Sequence, residues 1–228
     1  MIQEIEIKYR IASQEDFQRL KAIFSPAQKK DITIFHQTNF FFDTPAFGLK
    51  SKSLSIRLRE ENKSYVIAVK GPSLDRKTAT EALSVRLEYE QDQSTHNAEQ
   101  MLGGMLSPLD LLKSRFPKDT DEKNKTREHL YHKIIEVTRG QSVSIIGSFL
   151  NTRTCLPIEI DGHSLWLELD ETRFTRDVTH YEIELEIPSS LSPQTAQDFL
   201  KSHFDKNKIQ YFPANGKAER FYKIIAKK

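Results

Sequence analysis

Tyr181-Glu182-Ile183-Glu184-Leu185-Glu186-Ile187 alternates charged and apolar side chains without a break from Glu182 onward. A period of two is that of a β-strand, whose successive side chains leave opposite faces. One face then carries Glu182, Glu184 and Glu186, about 7 Å apart along the strand, and the other carries Ile183, Leu185 and Ile187. Three like charges in a row repel one another, so cations are expected opposite them.

The same division recurs outward from this stretch. Strands are predicted over residues 2–10, 35–42, 54–60, 65–70, 84–90, 157–160, 164–170 and 181–187. Glu4, Glu6 and Lys8 oppose Ile5, Ile7 and Tyr9, and Arg57 and Arg59 oppose Ile56 and Leu58. Lys70 opposes Ile67 and Val69, while Arg86, Glu88 and Glu90 oppose Val85, Leu87 and Tyr89. Glu168 and Asp170 oppose Leu165, Leu167 and Leu169.

For a single strand, a charged face is the solvent side of an antiparallel sheet. The whole set reads differently, because solvent faces usually mix Thr, Ser and Gln among their charges. The alternative is a sheet closed into a barrel, charged face inward and apolar face outward under amphipathic helices. Arg and Lys in such an interior would clamp phosphates, Arg through planar two-point contacts. Glu and Asp there would hold a hard divalent cation through oxygen. Both signs in one tunnel point to a metal-bound polyphosphate.

Two stretches take the helical period. Ser13 caps the first, with Asp16 three residues on and Phe17, Leu20, Ile23 and Phe24 on one face. Ser192 caps the second, Pro193 suits its first position, and Ala196, Phe199, Leu200, His203 and Phe204 form the stripe. Residues 92–139 read as a helical insertion containing a mobile, lysine-rich link over residues 118–126. Asp43-Thr44-Pro45, Gly71-Pro72 and Asp161-Gly162 are turn signals, the last for a tight hairpin.

Composition removes other classes. The 228 residues carry a net charge of +2 and 14 Phe, which excludes a disordered chain. Cys155 is the one cysteine, so no internal disulfide forms and a reducing compartment, the cytoplasm, is expected. No apolar run is long enough to span a membrane, no leader is seen, and no GxxxxGK[ST] or GxGxxG loop occurs. His129 and His132 are read as solvated, and residues 118–127 as a flexible link with no nucleic-acid patch. Trp166 shares parity with Glu168 and Asp170, which aims it at a tunnel mouth, either to stack on an aromatic leaving group or to pack the barrel end.

Glu4-x-Glu6-x-Lys8, Arg57-x-Arg59, Lys70-Gly71-Pro72, Arg86-x-Glu88-x-Glu90, Leu169-Asp170-Glu171, Glu182-x-Glu184-x-Glu186 and Lys217 stand in that order from residue 4 to residue 217. Together they resemble the CYTH superfamily, the triphosphate tunnel metalloenzymes. Residues 39–45, Asn151-Thr152-Arg153 and residues 167–172 are most similar to its inorganic triphosphatase branch. The resemblance implies a mostly β (α+β) fold, an eight-stranded antiparallel closed barrel with a charged interior, as one domain over residues 1–228. It implies Mg²⁺ or Mn²⁺ as cofactor and hydrolysis of inorganic triphosphate to diphosphate and phosphate.

Carried over by position, Lys8, Arg57, Arg59, Lys70, Arg86, Arg153 and Lys217 would hold phosphates, with Glu88 and Glu90 completing the lining. Glu4, Glu6, Asp170, Glu184 and Glu186 would bind metal or orient water, and Glu4, Glu6, Glu186 and Lys8 would be catalytic. Glu168 and Glu182 have the matching parity. The same resemblance admits thiamine triphosphatase, nucleoside triphosphatase or class IV adenylyl cyclase activity. A non-catalytic polyphosphate- or nucleotide-binding module is the reading of another class. The expected partner is a small triphosphate, with neither nucleic acid nor membrane, for a monomer or homodimer.

Overall fold

The computed structural model describes residues 1–25, 32–73 and 82–226. Its frame is antiparallel. The strands are β1 (Gln3–Ile11), β2 (Thr33–Asp43), β3 (Ser55–Glu61), β4 (Ser64–Pro72), β5 (Leu83–Gln93), β6 (Ser144–Ile160), β7 (His163–Thr175) and β8 (Val178–Glu186), with a short β9 (Tyr211–Pro213). They pair in the order β5-β4-β3-β2-β6-β7-β8-β1, and β1 meets β5 again, so the sheet closes as an eight-stranded barrel. Closure occurs along residues 3–7 of β1, where Glu4 faces Arg86 and Ile7 faces Leu83. Farther along the same edge β9 takes over, pairing with Tyr9, Arg10 and Ile11.

Seven helices lie around this barrel among the described residues: α1 (Gln14–Phe24), α2 (Gly48–Ser51), α3 (Thr95–Leu102), α4 (Pro108–Lys113), α5 (Asp121–Thr138), α6 (Pro193–Lys206) and α7 (Lys217–Ile225). The Ser13 hydroxyl accepts from the Asp16 amide as the sequence implied, whereas Ser192 stands at the N-cap of α6 without a side-chain bond. The apolar outer faces of β1, β7 and β8 meet α1 and α6 through Ile7, Tyr9, Leu167, Ile183, Phe17, Leu200 and Phe204, all nearly or fully buried. A second apolar cluster joins β3, β4 and β5 to α3, α4 and α5 through Ile56, Ile67, Leu87, Met101, Leu112, Leu130 and Ile134. Burying such side chains stabilises by about 1.5–3 kcal/mol each. The apolar strand faces therefore point outward and the charged faces inward.

Three expectations change. The lysine-rich link at 118–126 becomes helix from Asp121, capped by the Thr120 hydroxyl on the Lys123 amide. Asn124, Thr126 and Arg127 are buried there, and Arg127 donates to the Leu112 carbonyl, so this part of the insertion is packed. Gly71-Pro72 is no turn: it remains in β4, paired with Leu87 and Arg86. The glycine answers to packing, since a Cβ on Gly71 would stand 2.4 Å from Leu130 Cδ2 of α5. The strand predicted over 157–160 is the end of the 17-residue β6. Its earlier half lacks alternation because its outer face is bare, leaving Leu150 49% exposed beside Ser148 and Thr152.

The Asp161-Gly162 hairpin forms, with φ of 50° and 73° at its two turn residues, as tight turns of this kind require. Among the described residues no helix is long and apolar enough to cross a membrane.

Candidate active site

Closure of the charged faces encloses a cavity of about 240 Å³. It is lined by seven cations (Lys8, Arg57, Arg59, Lys70, Arg86, Arg153, Lys217) and seven carboxylates (Glu4, Glu6, Glu88, Glu90, Glu168, Glu184, Glu186). These come from β1, β3, β4, β5, β6, β7, β8 and the first residue of α7. Alternation alone selects one face per strand; the barrel turns all of those faces toward one axis.

Each sign is matched locally. Lys70 Nζ lies 2.6 Å from Glu4 Oε2 and 3.1 Å from Glu88 Oε1. Lys8 Nζ lies 2.8 Å from Glu6 and 3.1 Å from Glu184. Arg57 donates to Glu90 at 3.2 Å, and Arg59 stands 3.7 Å from both Glu90 and Glu61. The expected cations stand opposite two of the three glutamates of β8: Lys217 and Arg220 at Glu182, and Lys8, Arg153 and Lys217 at Glu184. Arg86 donates to the Ser53 carbonyl at the cavity's edge, and Glu186 is exposed at the rim.

Asp170 and Glu182 stand one layer back, fully buried and outside the lining. Arg153 grips Asp170 with Nε at 2.9 Å and Nη2 at 2.6 Å, while Lys217 adds a contact at 2.7 Å. Glu168, Asp170 and Glu184 have carboxylate oxygens within 4.8 Å of one another, close enough to share an ion. Oxygen donors of this kind suit hard divalent cations.

The pairing sorts the carboxylates. Burial would raise Glu4, but Lys70 and Lys8 outweigh it and bring the carboxyl down to about 2. Burial dominates at Glu6, with Glu184 and Glu4 adding to it against Lys8, and pushes it up to about 8. Glu88 and Glu168 rise to about 7, burial again leading. Burial would also raise Glu184 and Asp170; Lys217 with Lys8 at the first, and Arg153 with Lys217 at the second, hold them below the usual range. Two levels of acidity on one surface are what acid–base work near neutral pH needs.

Several lining residues escaped the sequence reading. Gln37, Asn39, Ser55 and Asn151 face the cavity, and their strand parity was the available signal. α7 was missed altogether, although Ala218, Phe221, Tyr222 and Ile225 recur at helical spacing among its charges. Trp166 is 53% exposed and does not line the cavity. Phe41 and Phe149 do, but they stack on each other at 5.4 Å and pack on Phe221, which leaves neither ring face open. His132 is exposed, 3.8 Å from Glu128, and burial with Glu168 nearby lifts the Cys155 thiol to about 12, which leaves it unreactive.

Comparison with known proteins agrees with this geometry. Over 74 residues the chain is 35% identical to YjbK of Bacillus subtilis, a candidate triphosphatase; the match takes in 32% of this chain and 37% of that relative's length. HpAC1 from Hippeastrum, described as a candidate adenylyl cyclase with a dominant triphosphatase activity, superposes with a TM-score of 0.74 at 25% identity, over 96% of this chain and 95% of that one. A candidate adenylate cyclase from Bacillus halodurans shares the fold, with a TM-score of 0.62 at 23% identity over 97% and 100% of the two chains. The CYTH domain model matches residues 2–222, and the chain belongs to the CYTH domain family.

Proposed function

We propose that the protein is a metal-dependent triphosphatase that hydrolyses inorganic triphosphate to diphosphate and phosphate inside the barrel. The observation that carries this reading is the charge balance of the cavity, seven cations against seven carboxylates in alternating contact. A bare polyanion would meet as much repulsion as attraction there, whereas a polyanion arriving with a divalent cation offers both signs. Phosphate oxygens then take Lys8, Arg57, Arg59, Lys70, Arg86, Arg153 and Lys217, and the carboxylates so released are hard oxygen donors for the cation.

Glu4, Glu6, Glu184 and Glu186 are the residues assigned to hold Mg²⁺ or Mn²⁺, while Asp170 behind them holds Arg153 and Lys217. Such an ion neutralises phosphate charge and lowers the pKa of bound water. The protein's own share is positioning and electrostatics: the cations align the chain of phosphates, and Glu6, beside Lys8 in the wall, orients the attacking water. Inorganic triphosphate is favoured over thiamine or nucleoside triphosphates because the aromatic rings at the cavity offer no open face for a second ring to stack on.

Phosphate release from tripolyphosphate, thiamine triphosphate and ATP, each with Mg²⁺, Mn²⁺ or EDTA, tests the reading. Preference for tripolyphosphate, abolished by EDTA, is the expected result. A preference for either organic triphosphate overturns the substrate assignment. No release from any of them, with binding retained, makes the protein a binding module.

A further inference from the structure

A polar chain runs from the cavity wall to the buried Asp170: Gln37 and Asn151 face the cavity, and Thr172 stands behind Asn151. Asn151 Nδ2 donates to Gln37 Oε1 and to Asp170 Oδ1, each at 2.9 Å, and the Thr172 hydroxyl donates to Asn151 Oδ1 at 2.7 Å. Gln37 Nε2 in turn donates to Glu61 at 2.5 Å. Asn151, Thr172 and Gln37 are all buried, and they sit on three neighbouring strands, β6, β7 and β2. The amide of Asn151 thus spends both its N–H groups and its carbonyl within the chain, which fixes which way it faces.

We propose that Thr172, Asn151 and Gln37 are positioning residues that set the Asp170 carboxylate and, through it, the aim of Arg153 and Lys217. Asp170 takes two of the five N–H groups of Arg153, those on Nε and one on Nη2. The remaining edge of the guanidinium points at Glu168 and Glu184, which line the cavity and are the partners a phosphate would replace. Asp170 stays with its cations, because it has no exposed surface. Were the Asn151 amide free to turn, its carbonyl would oppose the carboxylate, and the planar fork of Arg153 would lose its fixed angle.

The inference rests on the triphosphatase reading. Its test compares wild type with Thr172→Val, nearly the same shape without the hydroxyl, and Thr172→Ser, which restores it. Three quantities are read: KM and kcat for tripolyphosphate with Mg²⁺, and the thermal shift that excess tripolyphosphate with Mg²⁺ produces. For Thr172→Val we expect KM five- to tenfold higher, kcat within twofold of wild type, and a smaller thermal shift; Thr172→Ser should match wild type in all three. Wild-type KM and shift in Thr172→Val, with only the melting temperature lowered, overturn the proposal, as does equal impairment of the serine variant. If Thr172→Val does not fold, Gln37→Met removes the other anchor of Asn151 and should raise KM in the same direction; an unchanged KM overturns the proposal. Wild type that neither turns over nor is stabilised by tripolyphosphate refutes the triphosphatase reading instead.

Discussion

At the residue scale the site depends on carboxylates of unequal acidity, and Glu6 is the clearest case. Its raised pKa means that the folded protein binds a proton that the unfolded chain has released above its ordinary 4.5. The unfolded state therefore holds fewer protons between about 4.5 and about 8, and stability falls as pH rises through that window. Glu4 and Glu184 act oppositely, losing stability below the ordinary carboxylate range. Thermal melts of wild type and Glu6→Gln across pH 6 to about 8.5 should show a decline in wild type that is flattened in the variant. The same variant should lose at least about 100-fold in kcat, the lower end of the scale for removing a group that acts on the attacking water. Arg57→Ala should instead raise KM by about 10- to 100-fold, as loss of a charge-assisted hydrogen bond of about 1.5–3 kcal/mol predicts; titration with tripolyphosphate reads it.

At the element scale, the two ends of the chain and the insertion each brace the barrel by different means. β4 and α5 approach so closely at Gly71 that a methyl group there overlaps Leu130, itself 1% exposed in a filled cluster. Gly71→Ala should cost about 1–3 kcal/mol by overpacking, and less when made in a Leu130→Ala background, a coupling that a double-mutant cycle in urea measures. α7 is held by its apolar face, Phe221 against Phe41, Phe149 and Phe174, and by polar ties as well: Lys217 and Arg220 on Glu182, and the Tyr222 hydroxyl on Asp43 at 2.8 Å. Asp43 also accepts from the amides of Thr44, Leu49 and Lys50, so one carboxylate ties β2, α2 and α7 together. Tyr222→Phe should lower stability by about 1–3 kcal/mol, the range for a hydrogen bond to a charged group, with the melting temperature as readout. α1 and α6 were legible because they lie on bare apolar strand faces and so need a regular stripe. α5 and α7 were harder to read, because charged or amide side chains, Asn124, Arg127 and Arg220, are buried among their apolar positions.

For the whole molecule, the consequence of closing the sheet is that repulsive rows of charge become mutually neutralising. A ligand that supplies both signs should bind the folded state alone, and Mg²⁺ with tripolyphosphate at 100 times its dissociation constant should stabilise by about 2.7 kcal/mol. Calorimetric melts with and without the pair, and with either component alone, would read this. The sequence by itself determined the strand periods, the parity of Glu4, Glu6, Lys8, Arg57, Arg59, Lys70 and the β8 glutamates, and the resemblance built on them, because a period of two is a local property of the backbone. Only the tertiary structure decided that Asp170 and Glu182 stand behind the wall, that Asn151 reaches Asp170 and Thr172 reaches Asn151, and that Lys217 enters on a helix. Those facts depend on the register between strands far apart in the chain, and no single strand's pattern contains the register of its neighbours.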